Sequence, residues 1–271
     1  MFEDKLFYDF LTYMNFTGAL DYMHKCVPDY LCKWYSLDSS NQEHNNLRFT
    51  SLSKNQNWFD TRFNQNDPFD MALYEIDYDE LKKNGLEDTY LFEYVINLLR
   101  NSLLLCSFCD SEINNLPMWA NYANGHQGYC IRYKVTDKKR FFKILYEPKI
   151  IKVNRLIAEI IHDTNVVLEQ KKLTENTYNL RDMFFLINNC KHKSWEYENE
   201  YRCLYPIIEG ELKGQNVSNS DIGIQPVEIY IGMNCSDENK ERLKRIAHDV
   251  FHCDVYVCKI SKTDFLVFDE C

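Results

Sequence analysis

Carboxylates and a guanidinium recur at every second position in Trp195-Glu196-Tyr197-Glu198-Asn199-Glu200-Tyr201-Arg202. In an extended strand alternate residues share a face. Glu196, Glu198, Glu200 and Arg202 would then point one way, and Trp195, Tyr197, Asn199 and Tyr201 the other. Carboxylates in a row repel one another, and a single Arg is at hand. If that face is buried, at least one carboxyl has a raised pKa unless a cation or a substrate compensates. Charge-stabilising and acid–base sites are built this way. A strand end in water, with Glu200 and Arg202 paired to neighbours, would have the same sequence.

Two further clusters carry usable chemistry. One is Lys33-Trp34-Tyr35, followed by Thr50-Ser51 and by Asn66-Asp67-Pro68-Phe69-Asp70. Lys33 suits an anionic ligand, and Asn66 and Asp67 suit either a ligand or a tied loop. The other is Met118-Trp119-Ala120-Asn121-Tyr122-Ala123 with His126 in the Gly-bounded turn that follows. On a helix Met118 and Tyr122 stack at i, i+4 beside Trp119, either as a ligand surface or as core. Metal signals are weak, and no metal is expected. Cys106-x-x-Cys109 lacks a second pair nearby and lies in an apolar run. His248 and His252 have no glutamate after the first His. The chain carries no GxxxxGK[ST], GxGxxG or GxSxG motif.

These residues need a scaffold, and the pattern predicts one α+β domain. A helix face is expected within residues 1–25 from Phe2, Leu6, Phe7, Phe10, Leu11 and Met14. Strands are expected at Tyr30–Tyr35, Leu47–Leu52, Leu103–Cys109, Gly128–Val135, Trp195–Ile208, Val227–Gly232, Cys253–Lys259 and Phe265–Phe268. Helices are expected over 78–101, at 118–123, over 152–190 as two pieces, and from Ser236, the predicted N-cap, to about Phe251. Residues 209–225 read as a polar loop. The expected division is an N-terminal helical extension over 1–27 and a single domain over 28–271.

Composition narrows the function classes. The 271 residues suffice for a sizeable core, and 45% apolar with 27% charged residues is ordinary for a globular protein. The formal net charge of −10 argues against extended nucleic-acid binding or an anionic membrane surface, though not against a local basic cleft. No apolar stretch is long enough to span a bilayer. The start MFEDKLFYDFLTYMNF has no basic opening followed by an unbroken apolar run, so no secretory signal is expected. The 11 cysteines are odd in number and scattered, which points to reduced thiols in the cytoplasm.

Taken in order, the motifs resemble a bacterial family, domain of unknown function 2971. The matching pieces are Leu31-Cys32-Lys33-Trp34-Tyr35-Ser36-Leu37, Leu47-Arg48-Phe49-Thr50-Ser51, Asn66-Asp67-Pro68-Phe69-Asp70, Cys106-Ser107-Phe108, Met118 to Ala123 and His126 to Ile131. Lys193-x-Trp195-x-Tyr197-Glu198-x-Glu200-Tyr201-Arg202 and Val227-Glu228-Ile229-Tyr230-Ile231-Gly232 complete the set, which spans roughly residues 30–268. The family name implies ancestry and no activity. The expected fold is a mixed, mostly antiparallel sheet flanked by helices, and the layout is similar to ADP-ribosyltransferase folds. In such folds a first-strand residue contacts NAD, a second-strand group shapes the pocket and a late-strand Glu holds a ribose hydroxyl.

By that analogy Glu200 would be the ribose-holding carboxylate, with Glu198 assisting. Lys33 and Arg202 would contact phosphates. Tyr35, Ser51, Asn66, Asp67, Trp119, Tyr122 and His126 would line the pocket. Lys33 stands where Arg or His is usual. The expectation is therefore an NAD-consuming or ADP-ribosylating enzyme, such as a toxin or phage-defence effector, with a small nucleotide ligand and NAD as substrate rather than cofactor. The alternatives are a nuclease or phosphotransferase with Mg²⁺ on Asp67, Asp70, Glu198 and Glu200, and a non-catalytic binding module presenting the Met118–Tyr122 patch.

Overall fold

The computed structural model describes residues 16–67, 74–86, 97, 101, 103–110, 112–147, 151–173, 177–178, 180–182, 189–207, 213–261 and 266–270. Pro68, Phe69, Asp70, residues 1–15 of the expected N-terminal helix and most of the expected helix over 78–101 lie outside them.

The sheet forms where apolar, β-branched and aromatic residues run short distances between turns. The strands are β1 (Tyr30–Tyr35), β2 (Gln56–Phe59), β3 (Tyr74–Glu75), β4 (Leu103–Asp110), β5 (Tyr129–Val135), β6 (Phe141–Lys143), β7 (Leu145–Glu147) and β8 (Ile151–Lys152). They continue with β9 (Cys190–His192), β10 (Glu200–Pro206), β11 (Gln215–Ser218), β12 (Ile224–Ile231), β13 (Asp254–Lys259) and β14 (Val267–Glu270). The helices are α1 (Phe16–Lys25), α2 (Gln42–Ser53), α3 (Tyr78–Lys83), α4 (Leu116–Asn121), α5 (Asn154–Gln170) and α6 (Asp237–Ile246), the last continued by a π turn, Ala247–Phe251.

Eight strands make a mixed sheet in the order β14-β13-β12-β5-β1-β4-β10-β6. Only β12 and β13 run parallel within it; its other pairs are antiparallel. Three two-stranded ribbons, β11-β2, β3-β8 and β7-β9, flank it. Among the described residues no helix is long and apolar enough to cross a membrane. The ten described cysteines are free thiols.

Strand periodicity sorts the core. Leu104, Cys106 and Phe108 of β4 join Tyr201 and Cys203 of β10, Leu31 and Tyr35 of β1, Phe49 and Leu52 of α2 and Leu243 and Ile246 of α6 on one face. The opposite face carries two separate apolar clusters. Leu103, Leu105, Leu204 and Phe142 pack with α1 and α5. Cys32, Trp34, Cys109 and Cys130 pack with Met118 and Trp119 of α4. Between these clusters the same face bears Ser107, Glu200 and Arg202, with Arg202 opposite Ser107 and Glu200 opposite Cys109. A polar belt therefore crosses the middle of an otherwise apolar face.

Three expectations are corrected. Leu47–Leu52 is not a strand but part of α2. Asn41 caps that helix by accepting from His44 N at 3.0 Å, and Phe49 and Leu52, three apart, share its buried side. Residues 195–198 are not extended. Lys193–Glu198 forms a 3₁₀ turn ended by Asn199 at φ 42, ψ 52, and the strand begins at Glu200. Residues 209–225 are not all loop, because β11 and the start of β12 lie there. The tail matches its reading. Ser236 Oγ accepts from Asn239 N at 3.3 Å as the N-cap of α6.

Candidate active site at a fork in the sheet

β1 and β4 pair only at Leu31–Asp110 and Cys32–Cys109. β1 then stays with β5 through Tyr35, while β4 stays with β10 through Leu103. The sheet splits between them. Further along, the empty edge of β4 is met by Asp60, whose N–H and C=O exchange hydrogen bonds with Leu105 at 3.0 and 2.9 Å. In the gap the Ser107 carbonyl has no strand opposite, and Lys33 Nζ donates to it at 2.8 Å. The chain leaving Asp60 carries Gln65, Asn66 and Asp67 to the same opening. A cleft of about 150 Å³ results, lined by residues that include Lys33, Trp34, Asn66, Asp67, Tyr122, Lys191, Trp195, Glu198 and Glu200.

The acidic side of the cleft is set by the break at residue 199. Asn tolerates the left-handed conformation, and here its amide is also tied down. Asn199 Nδ2 donates to Asp110 Oδ2 at 3.0 Å, and Lys143 Nζ donates to Asn199 Oδ1. The break swings Glu198 off the strand path, yet its carboxyl returns beside that of Glu200. Both meet one ammonium. Lys191 Nζ lies 2.7 Å from Glu198 Oε2 and 2.7 Å from Glu200 Oε2. Lys191 is mounted on β9, which pairs with β7 beside the sheet. Glu196, expected on the same face, is exposed instead.

The two carboxylates differ in their other partners. Glu200 Oε1 accepts from Arg202 Nε at 2.8 Å. Glu198 Oε1 accepts from the neutral Tyr122 hydroxyl. Arg202, Glu200, Glu198 and Lys191 are 0, 1, 3 and 7% exposed, so these contacts act with little screening. Burial would raise the Glu200 carboxyl, but Arg202 and then Lys191 hold it well below the usual carboxylate range. Burial pushes Glu198 above that range, Lys191 pulls it back, and the Glu200 charge adds to the rise. Two adjacent carboxyls are thus driven apart in acidity, the pattern that separates an anchored charge from a working one. The Cys109 thiol is pushed well up by burial and then by the two glutamates, so it is no thiolate nucleophile.

Of the residues singled out from sequence, the fold gathers Lys33, Asn66, Asp67, Tyr122, Glu198 and Glu200 at the cleft. The others lie elsewhere. Tyr35 faces the opposite side, its hydroxyl 2.5 Å from Asn57 Oδ1 and 2.6 Å from the Tyr133 hydroxyl. Ser51 sits on α2 and donates back to Leu47 O at 3.3 Å. Trp119 is fully buried, donates to Ile113 O at 2.8 Å and stacks flat on the half-buried His126 with ring centres 5.6 Å apart. Arg202 is fully buried and pairs with Glu200. Lys191 and Trp195 were missed as lining residues. For Lys191 the signal was the unbalanced charge of the Glu-rich segment, which called for a nearby cation.

Among the described residues no group of three or more His, Cys, Asp or Glu could hold a metal, and Asp70 lies outside them. The place between Glu198 and Glu200, where a cation would bridge them, is taken by Lys191.

No curated protein and no solved structure matches the chain. Residues 118–203, which carry Tyr122, Lys191, Glu198, Glu200 and Arg202, match the model of the family described as protein of unknown function (DUF2971), the family that the ordered motifs resemble.

Proposed function

We propose that the fork binds the nicotinamide–ribose end of NAD and that the protein is an NAD-consuming enzyme of the ADP-ribosyltransferase kind. The observation that carries this is the pair of buried glutamates at the split, one gripped by Arg202 and one held, among the described residues, by Lys191 and Tyr122. At about 150 Å³ the cleft is smaller than sites that engulf a whole ligand. One end of an extended molecule would enter it, and the rest would lie outside.

The chemistry follows from the charges. Cleavage of the bond between the nicotinamide nitrogen and the ribose carbon leaves the electron pair on neutral nicotinamide and builds positive charge on the sugar. A fixed carboxylate that accepts from a ribose hydroxyl stabilises that charge, because it is oriented before the reaction starts. Glu198 fills this role better than Glu200: Arg202 and Lys191 hold the two Glu200 oxygens with full charges, whereas Glu198 Oε1 is held by the neutral Tyr122 hydroxyl, which a ribose hydroxyl can replace. Glu200 anchors Lys191 instead. The ribosyl carbon then takes a nucleophile, either water or a side chain of a target, whose proton is released. Trp34, Tyr122 and Trp195 offer ring faces for the pyridinium.

Nicotinamide release from NAD by purified protein, with and without candidate macromolecular acceptors, tests this reading. Wild type is expected to release nicotinamide, and Glu198→Gln to lose about 100-fold or more, the scale seen for one charge-stabilising group. Absence of both NAD binding and turnover in wild type overturns it.

A further inference from the structure

We infer that Lys191 is the positioning residue of this cleft: its ammonium, shared between Glu198 and Glu200, keeps Glu198 a charged and oriented carboxylate. The inference rests on Glu198 being the working group, but its primary readout needs no substrate.

The geometry singles Lys191 out. Among the described residues it is the cation in contact with both carboxylates, at 2.7 Å each. The other cations nearby have different engagements. Arg202 grips Glu200, and Lys33 Nζ donates to the Ser107 carbonyl. Among the described residues, the further titratable groups beside Glu198 oppose its charge or are neutral. Glu200 comes from β10, Tyr122 from α4, Tyr197 from the 3₁₀ turn, Tyr146 from β7 and Cys109 from β4, and Asp67 lines the opening. Two buried carboxylates this close do not both ionise without a cation between them. Lys191 Nζ also lies over the Trp195 ring, 5.5 Å from its centre. Without it, Glu198 would take a proton and lose its Lys191 tether, leaving a neutral carboxyl hinged on Tyr122.

The test is a carbon-detected NMR titration of the Glu198 carboxyl in wild type, Lys191→Met, Lys191→Gln and Lys191→Arg, with folding checked by thermal melts. Loss of an opposite charge at this distance is expected to raise the Glu198 midpoint by about one pH unit or more in the Met variant. The Gln variant, which keeps a donor without the charge, is expected to do the same, and serves if Met does not fold. Arg is expected to restore the wild-type midpoint to within about half a unit. A midpoint that stays put in folded Met or Gln variants overturns the inference, whatever the activity. NAD affinity is then measured by calorimetry against pH. A raised midpoint in a protein that binds no NAD leaves Lys191 in its role and removes the NAD reading. A raised midpoint with an acid limb of NAD binding moved upward by the same amount supports both.

Discussion

Lys33 Nζ and the Ser107 carbonyl oxygen are 2.8 Å apart, joined across the gap where β1 and β4 part company. A side chain here does what a strand N–H does elsewhere in the ladder. The ammonium also lies 5.4 Å from the centre of the Phe108 ring. Lys33→Met keeps the apolar stem and removes the donor, leaving a half-buried carbonyl without its partner. The expected loss is about 1–3 kcal/mol in urea unfolding. A variant as stable as wild type would show that water replaces the ammonium freely.

Arg202 and Glu200 are both sealed from solvent, so breaking the pair strands a charge. Arg202→Leu is expected to cost about 3–5 kcal/mol. Replacing both partners, as Arg202→Leu with Glu200→Met, removes the stranded carboxylate and should recover part of that loss. Denaturant curves on the two single variants and the double variant decide it. If the double variant is no better than Arg202→Leu alone, the pair is not the source of the effect.

Gly128 precedes β5 at a close approach to β1. A Cβ built there would lie 1.9 Å from the Tyr35 carbonyl oxygen and 3.2 Å from Ala123 Cα. Both are backbone atoms with no rotamer to yield. Gly128→Ala should therefore push the end of β1, next to Trp34 of the cleft, and destabilise by about 1–3 kcal/mol. Thermal melts would report it, and an unchanged melting temperature would contradict the contact.

Alkaline pH should unfold the protein through its buried phenols and thiols. Burial pushes up Tyr35, and also Tyr133 despite its hydrogen bonds with Tyr35 and Asn57. Burial takes the Cys235 and Cys258 thiols to about 11 and Cys253 to about 12. Each folded value lies above the unfolded one, 9.0 for these thiols and 10.0 for the phenols. Their contribution is thus complete below those values and is lost as pH rises through the folded ones. Stability from these groups should hold to about pH 9 and fall progressively beyond it. Denaturant midpoints measured between about pH 7 and 11 check the sign; a flat profile would refute it.

The strands that hold the fork were readable because their side chains alternate and turns bound them. β1 coincides with its expected limits, and β4, β5 and the tail from Ser236 lie within a residue or two of theirs. The misreadings have local causes. Arg48-Phe49-Thr50-Ser51 has strand-like residue types, but the Asn41 cap and the spacing of Phe49 and Leu52 favour a helix whose contacts come from α6. The alternation of Glu196, Glu198 and Glu200 suggested one strand face, whereas Asn199 adopts a left-handed turn held by Asp110, a partner far away in sequence. Glu198 and Glu200 still converge, through Lys191 rather than through the pleat. The pairing of β9 with β7 that delivers Lys191 leaves no local pattern, since Cys190-Lys191-His192 reads equally well as the end of a helix.

The hollow at the β1–β4 divergence is opened by the courses of two main chains, each secured to a different outer neighbour. Its walls can therefore be repainted without closing it. Exchanges at Asn66 or Trp195 would change the lining of the hollow while the two ladders that open it persist.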